Sequence, residues 1–203
     1  MSFARKFLSD VAQLAGGLDA DAVERMAETI AEVRRRGGRM FFLGVGGGAG
    51  HASHAVNDFR KLAGIECYTP TDNVSELTAR INDEGWDSSF SAWLEGSRLG
   101  KKDAIFVFSV GGGNEAERIS VNIVNAVNLA RSVGATVLGV VGRDGGHTAR
   151  HGDAVVIVPT VAADLVTPLT EAFQAVVWHL LVSHPSVAVR AGKWESVAGV
   201  KAR

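Results

Sequence analysis

Short apolar runs, each followed by residues of helical periodicity, constrain this chain more than any other feature. RMFFLG (39–44), AIFVFS (104–109), TVLGVVG (136–142) and AVVIVP (154–159) are continuous rather than alternating, and IECYT (65–69) reads as a fifth strand. A strand without a polar face must be covered on both sides, which is the condition of a parallel sheet between helical layers. Helical spacing fills the intervals, over about 49–63, through NVSELTARI (73–81) and DSSFSAWLEGSRL (87–99), and over about 115–133 and 164–183. The expected fold is α/β, a five-stranded parallel sheet flanked by helices, in the manner of a three-layer flavodoxin-like sandwich.

Ahead of the first strand, Phe3, Phe7, Leu8, Val11 and Leu14 share one helical face, and Val23, Met26, Ala27, Ile30 and Val33 another. Gly16-Gly17 separates these two helices, and the basic run Arg34-Arg35-Arg36 before Gly37-Gly38 suits the end of the second. The layout is therefore one domain of 1–203: an N-terminal helical hairpin over 1–37, an α/β core over 38–185 and a tail over 186–203. A hairpin outside the sheet layers needs a surface for its apolar stripe, and a second subunit would supply one, so a homo-oligomer, tetramer or dimer, is expected.

Composition narrows the partners. A net charge of -1 gives no reason to expect nucleic acid or an anionic membrane, and no apolar run approaches a membrane span. Cys67 is the only cysteine, which rules out an internal disulfide and a thiolate metal cluster. The N-terminus is too polar for a secretory signal, so the cytoplasm is the expected compartment.

Ligands of open parallel sheets bind at the carboxyl ends of the strands. Two strands here end in glycine-rich turns that open helices, GVGGGAG (44–50) and SVGGGN (109–114). Backbone amides approached closely at such turns make an anion site. The expected substrate contacts are accordingly Gly46, Gly47 and Gly48 in the first turn, and Ser109, Gly111, Gly112, Gly113 and Asn114 in the second. Gly44, Gly46 and Ala49 also fit a dinucleotide fingerprint, but IECYTP ends without the acidic residue that would hold a ribose, and no Walker lysine follows either turn. No nucleotide cofactor is expected.

Side chains able to do chemistry cluster on two helices. His51, His54 and Asp58 fall at i, i+3 and i+7, on one face, with His54 and Asp58 one turn apart. In the apolar LTEAFQAVVWHLLVSH, Glu171, Gln174 and His179 stand out, and Glu171 and His179 are eight residues apart on roughly one face. His184 precedes Pro185 and belongs to the helix end.

Taken together, these residues resemble the sugar isomerase (SIS) domain, and within it the phosphoheptose isomerases, over about 20–183. The most specific part is NVSELTARINDEGWDSSFSAWLEG (73–96), which is similar to the family's Val-Ser, Asn-Asp-x-Gly-aromatic and Phe-Ser segment; the turn GRDGG (142–146) falls in the right order. The resemblance implies interconversion of sedoheptulose 7-phosphate and D-glycero-D-manno-heptose 7-phosphate. It implies a histidine and a catalytic carboxylate at His54 and Asp58, and Asp83 near the substrate. The family's last helix carries a glutamine and, eight residues on, a catalytic histidine. One register puts Thr170 and Trp178 at these positions; the other, which is preferred, puts Glu171 and His179 there. On that register Asp58 is the base, His179 its acid/base partner, and His54, Asp58, Glu171 and His179 the ligands of a divalent metal, zinc in the first place.

This chain also departs from the pattern. The family's first turn carries Gly-Asn-Gly-Gly-Ser where Gly44-Val45-Gly46-Gly47-Gly48 stands here. Its second is rich in Ser and Thr, whereas Ser109 is followed by Val110 and three glycines, and Glu115 sits near the expected phosphate. Lost hydroxyl donors favour a second reading, a non-catalytic sugar-phosphate sensor or oligomeric adaptor.

Overall fold

The structure is a computed structural model and describes residues 1–193. Five parallel strands form one sheet in the order β2-β1-β3-β4-β5, with β1 at Met40–Gly44, β2 at Cys67–Tyr68, β3 at Ala104–Ser109, β4 at Thr136–Val141 and β5 at Ala154–Ile157. The direction of winding reverses between β1 and β3, so their carboxyl ends diverge at the crevice where ligands of such sheets bind. Both glycine turns leave from that crevice.

Every residue of β1 and Ala104–Phe108 of β3 are buried, as continuous apolar strands require. One face is covered by α2 (Ala20–Arg35), α3 (Gly47–Leu62) and α8 (Val166–Ser183), through Met26, Ile30, Phe59, Phe173, Trp178 and Leu181. The other is covered by α5 (Ser89–Gly96) and α6 (Val121–Ser132), through Phe90, Leu94, Ile123 and Val127. Each fully buried aliphatic or aromatic side chain contributes about 2 kcal/mol by leaving water.

The helical hairpin is only half as separate as its position in the chain suggests. Val23, Met26, Ala27, Ile30 and Val33 are buried in the main core, so α2 belongs to a helical layer. α1 (Phe3–Gly17) buries only Asp10 and Leu14, and leaves Phe3 and Leu8 largely exposed.

The two helical stretches read at 73–81 and 87–99 form α4 (Val74–Glu84) and α5, parted at Gly85, which ends α4 with a positive φ. Two expectations are corrected in detail. α6 begins at Val121 rather than near 115: Asn114 and Ile119 pair backbone to backbone, and Arg118 and Ser120 are left-handed, so 114–120 is a small excursion. A short helix, α7 (Gly146–His151), begins at the last residue of the GRDGG turn, where no helix is expected from the sequence. Of the tail, Val187 is buried against the core; 194–203 lie outside the described residues. Among the described residues no helix is long and apolar enough to cross a membrane.

Candidate active site

α3 starts inside the first glycine turn, at Gly47, because the chain has to pass close to its neighbours there. A Cβ on Gly48 would lie 2.6 Å from the carbonyl oxygen of Phe108, so glycine lets the helix start press against the end of β3. A Cβ on Gly47 would meet the carboxylate of Glu171 at 2.6 Å. Glu171 on α8 therefore lies directly over the first turn of α3, where partial positive charge favours a carboxylate. His51 stands beside it: burial pushes its pKa below the ordinary histidine value, against the opposing pull of the Glu171 charge and backbone.

Further along the same two helices, His54, Asp58 and His179 come together. One ligand atom from each lies within 4.8 Å of the others. His54 Nε2 is 3.7 Å from Asp58 Oδ2, while Asp58 Oδ1 accepts a hydrogen bond from Asn57 Nδ2 at 2.8 Å. His179 Nδ1 lies 2.7 Å from the carbonyl oxygen of Ala175. A carbonyl only accepts, so Nδ1 carries a proton, and in the neutral ring the lone pair is on Nε2. Fixing a histidine through its other nitrogen is the usual support of a metal ligand. Two imidazoles and a carboxylate, half-exposed and convergent, suit a divalent ion such as zinc.

Glu171, expected as the fourth ligand, is not in this group. Eight residues of α8 separate it from His179, about 12 Å of helix axis. Thr170 and Trp178, the residues of the other register, are 3% and 1% exposed and belong to the core. Trp178 still touches the site, with its ring edge-on to His54 at 4.7 Å and stacked on His179. Gln174, singled out in the sequence, is fully buried: its amide nitrogen donates to Val140 O while Oε1 has no partner among the described residues. Cys67 is buried with its thiol pKa pushed up, which leaves it inert.

The second turn is used differently from expectation. A Cβ on Gly112, whose φ is +68°, would run into the carbonyl oxygen of Gly145, and Gly112 O accepts from both Thr148 N and Thr148 Oγ1. Gly113 O accepts from His147 N, and Ser109 Oγ accepts from Gly112 N. Gly112 and Gly113 are thus committed to close packing on the 142–148 turn. Gly111 and Asn114 line a cavity, Asn114 with its Oδ1 accepting from Glu117 N. Asp83 stands on α4, a helix without a buried residue, and pairs with Asn82 in solvent. Two features went unnoticed in the sequence: Arg190 lines a cavity with Asp58 and His179, and Arg143 lines the one at the second turn. The tail position of one and the GRDGG turn of the other carried no chemical signal of their own.

With this geometry described, comparison places the chain. A model of the SIS domain matches residues 5–142. The chain belongs to the SIS-domain family. Among relatives of this SIS-domain protein, the lincomycin biosynthesis protein LmbN of Streptomyces lincolnensis is 31% identical over 195 residues, covering 91% of this chain and 69% of LmbN. A phosphoheptose isomerase of Chlorobaculum parvum is 32% identical over 154 residues, 72% of this chain and 70% of its own. Among solved structures, a phosphoheptose isomerase from Neisseria gonorrhoeae superposes with a TM-score of 0.76 at 23% identity, over 88% of this chain and 94% of that one, a likeness of fold.

Proposed function

We propose that this SIS-domain protein is an aldose-ketose isomerase acting on a sugar phosphate, with sedoheptulose 7-phosphate as the first candidate substrate. The observation that carries the reading is the convergence of His54, Asp58 and His179 on α3 and α8. Relatives named phosphoheptose isomerases support it.

Isomerisation moves a proton between adjacent carbons while an oxygen charge develops on each. Asp58 Oδ2, the oxygen nearer His54, takes the proton from the carbon next to the carbonyl. Its other oxygen is held by Asn57, which fixes the carboxylate plane. His179 Nε2 exchanges the proton with the sugar oxygen, its ring set by Ala175 O and by stacking on Trp178. A divalent metal would be held by the same lone pairs of His54, Asp58 and His179, and when bound it would stabilise negative charge on the sugar oxygens in place of the proton carried by His179. Glu171, over Gly47 rather than in the cluster, orders the first glycine turn.

The phosphate end belongs at the second glycine turn, because the Glu171 carboxylate already lies over the start of α3 at the first. Exposed Phe3 and Leu8 on α1 and Val74 on α4 support a homo-oligomer, to be read directly by light scattering. The chemistry is tested by running the reaction on sedoheptulose 7-phosphate in deuterium oxide. Product carrying solvent deuterium at the carbon next to the carbonyl is expected. A protein that binds the sugar phosphate without converting it would instead be the sensor or adaptor.

A further inference from the structure

After α8 the chain turns back across the end of α3, and this return is anchored. Val187 is fully buried, and Arg34 at the end of α2 donates to the carbonyl oxygens of Ser186, Val187 and Ala63. Val189 N and Arg190 N then both donate to Leu62 O, on the last residue of α3, at 2.9 and 3.1 Å. Leu62 lies one helical turn beyond Asp58, about 6 Å along the axis. The backbone of Arg190 is thereby fixed near the carboxylate of the cluster.

A cavity of about 380 Å³ lies between this return and the helices α3 and α8, lined by Asp58, His179, Ser183, Ala188 and Arg190 among others. Its size suits a small organic ligand. Asp58 and Arg190 carry opposite charge and share the cavity, yet they do not pair. The Asp58 oxygens go to Asn57 and His54, and among the described residues the Arg190 side chain has neither a hydrogen bond nor an ion pair. A base and a cation kept apart in one cavity leave room for a ligand between them. The cation is moreover one that keeps its protons at any working pH.

We propose that Arg190 is a catalytic residue of this site: its guanidinium holds the carbonyl oxygen of the bound sugar and carries the negative charge which that oxygen gains in the reaction. The proposal rests on the isomerase reading above and deepens it. When Asp58 removes the proton from the carbon next to the carbonyl, the C–H electron pair forms a carbon–carbon double bond and the carbonyl π pair moves onto oxygen. One negative charge appears there. Arg190 meets it with a permanent positive charge and N–H donors, which Asp58 and two titrating histidines do not supply. His179 moves the hydroxyl proton from the neighbouring oxygen to this one, and Asp58 returns its proton to the former carbonyl carbon. Atoms and charge balance without an added reactant, and Arg190 exchanges no proton.

The test compares the full-length wild type with Arg190→Gln, Arg190→Lys and Arg190→Ala. Arg190 is exposed, so each variant keeps its fold, which a melting curve verifies. Binding is read by calorimetric titration of 6-phospho-D-altronohydroxamate, a planar mimic of the enediolate, with a chelator present so that no metal contributes. Kinetics on sedoheptulose 7-phosphate are read with zinc. Hydroxamate affinity should fall by about tenfold or more in Arg190→Gln, and by less in Arg190→Lys. In Arg190→Gln kcat should fall by at least about tenfold with little change in KM, the pattern of a contact that strengthens in the transition state. Guanidinium added to Arg190→Ala should restore turnover and ammonium should not, a readout that a merely structural role would not move. Turnover with kcat and hydroxamate affinity unaltered in Arg190→Gln overturns the proposal and leaves the isomerase standing. No hydroxamate binding by wild type overturns it as well. Hydroxamate binding weakened by Arg190→Gln in a protein without turnover upholds Arg190 as a ligand contact and removes the isomerase reading instead.

Discussion

Asp58 is the residue on which the chemistry turns. Its two oxygens have separate partners, Asn57 on one side and His54 on the other, and its side chain is 17% exposed. Exchange for asparagine preserves shape and removes the negative charge. Asp58→Asn is therefore expected to lower kcat by at least about 100-fold, the scale of general base catalysis, with little change in melting temperature. Turnover and a thermal melt on the same preparation check both halves. His184, just past the end of α8, offers a contrast: it pairs with Glu24 at 3.0 Å, away from the cluster, and His184→Ala leaves kcat as it was.

At the scale of elements, the glycine turns separate packing from binding. Gly111 has open space where a Cβ would stand, whereas Gly112 combines a positive φ with the carbonyl of Gly145. Gly112→Ala is expected to cost about 3 kcal/mol or to prevent folding, through backbone strain and a clash with main chain. Gly111→Ala keeps its stability, and any loss it shows falls on ligand affinity. Chemical denaturation of the two variants distinguishes these outcomes. This contrast also shows how much the sequence could tell. Continuous apolar runs located β3 at 104–109 and the sheet around it, because burial on both faces leaves a plain signature. His54 and Asp58 were legible from their one-turn spacing, and His179 from its place in an apolar helix. Glu171 was not, since spacing along α8 is silent on which part of α3 packs against it. The start of α6 at Val121 was missed because a backbone pairing of Asn114 with Ile119 and two left-handed residues leave no mark in hydrophobic periodicity. That Arg143 and Arg190 line cavities could not be read from the sequence either, because those cavities form only when distant segments meet.

For the whole molecule, stability and chemistry sit at opposite ends of the sheet. Near the amino ends of β1 and β3, Asp103 accepts from the Arg39 side chain at 2.8 Å and from the backbone of Arg39 and Gly100. Burial works to raise its pKa, but these donors win and hold the carboxyl below its ordinary value. A depressed folded pKa means that the stabilisation is present above the unfolded value and is lost as pH falls through the folded one. Wild type should therefore lose melting temperature steeply below about pH 4. Asp103→Asn should begin about 3 kcal/mol less stable at neutral pH and show a flatter acid limb, with kcat unaffected at the far end of the strands. Melting curves across pH 2.5–7 (a range of roughly this width brackets the carboxylate titration) read both slopes.

The most direct measurement of the central claim is turnover of sedoheptulose 7-phosphate by the full-length protein with added zinc, after chelation, and in His179→Ala. If His54, Asp58 and His179 form the reacting centre, zinc supports turnover, the chelator abolishes it and His179→Ala neither turns over substrate nor binds zinc. Turnover by His179→Ala at the wild-type rate would contradict the account.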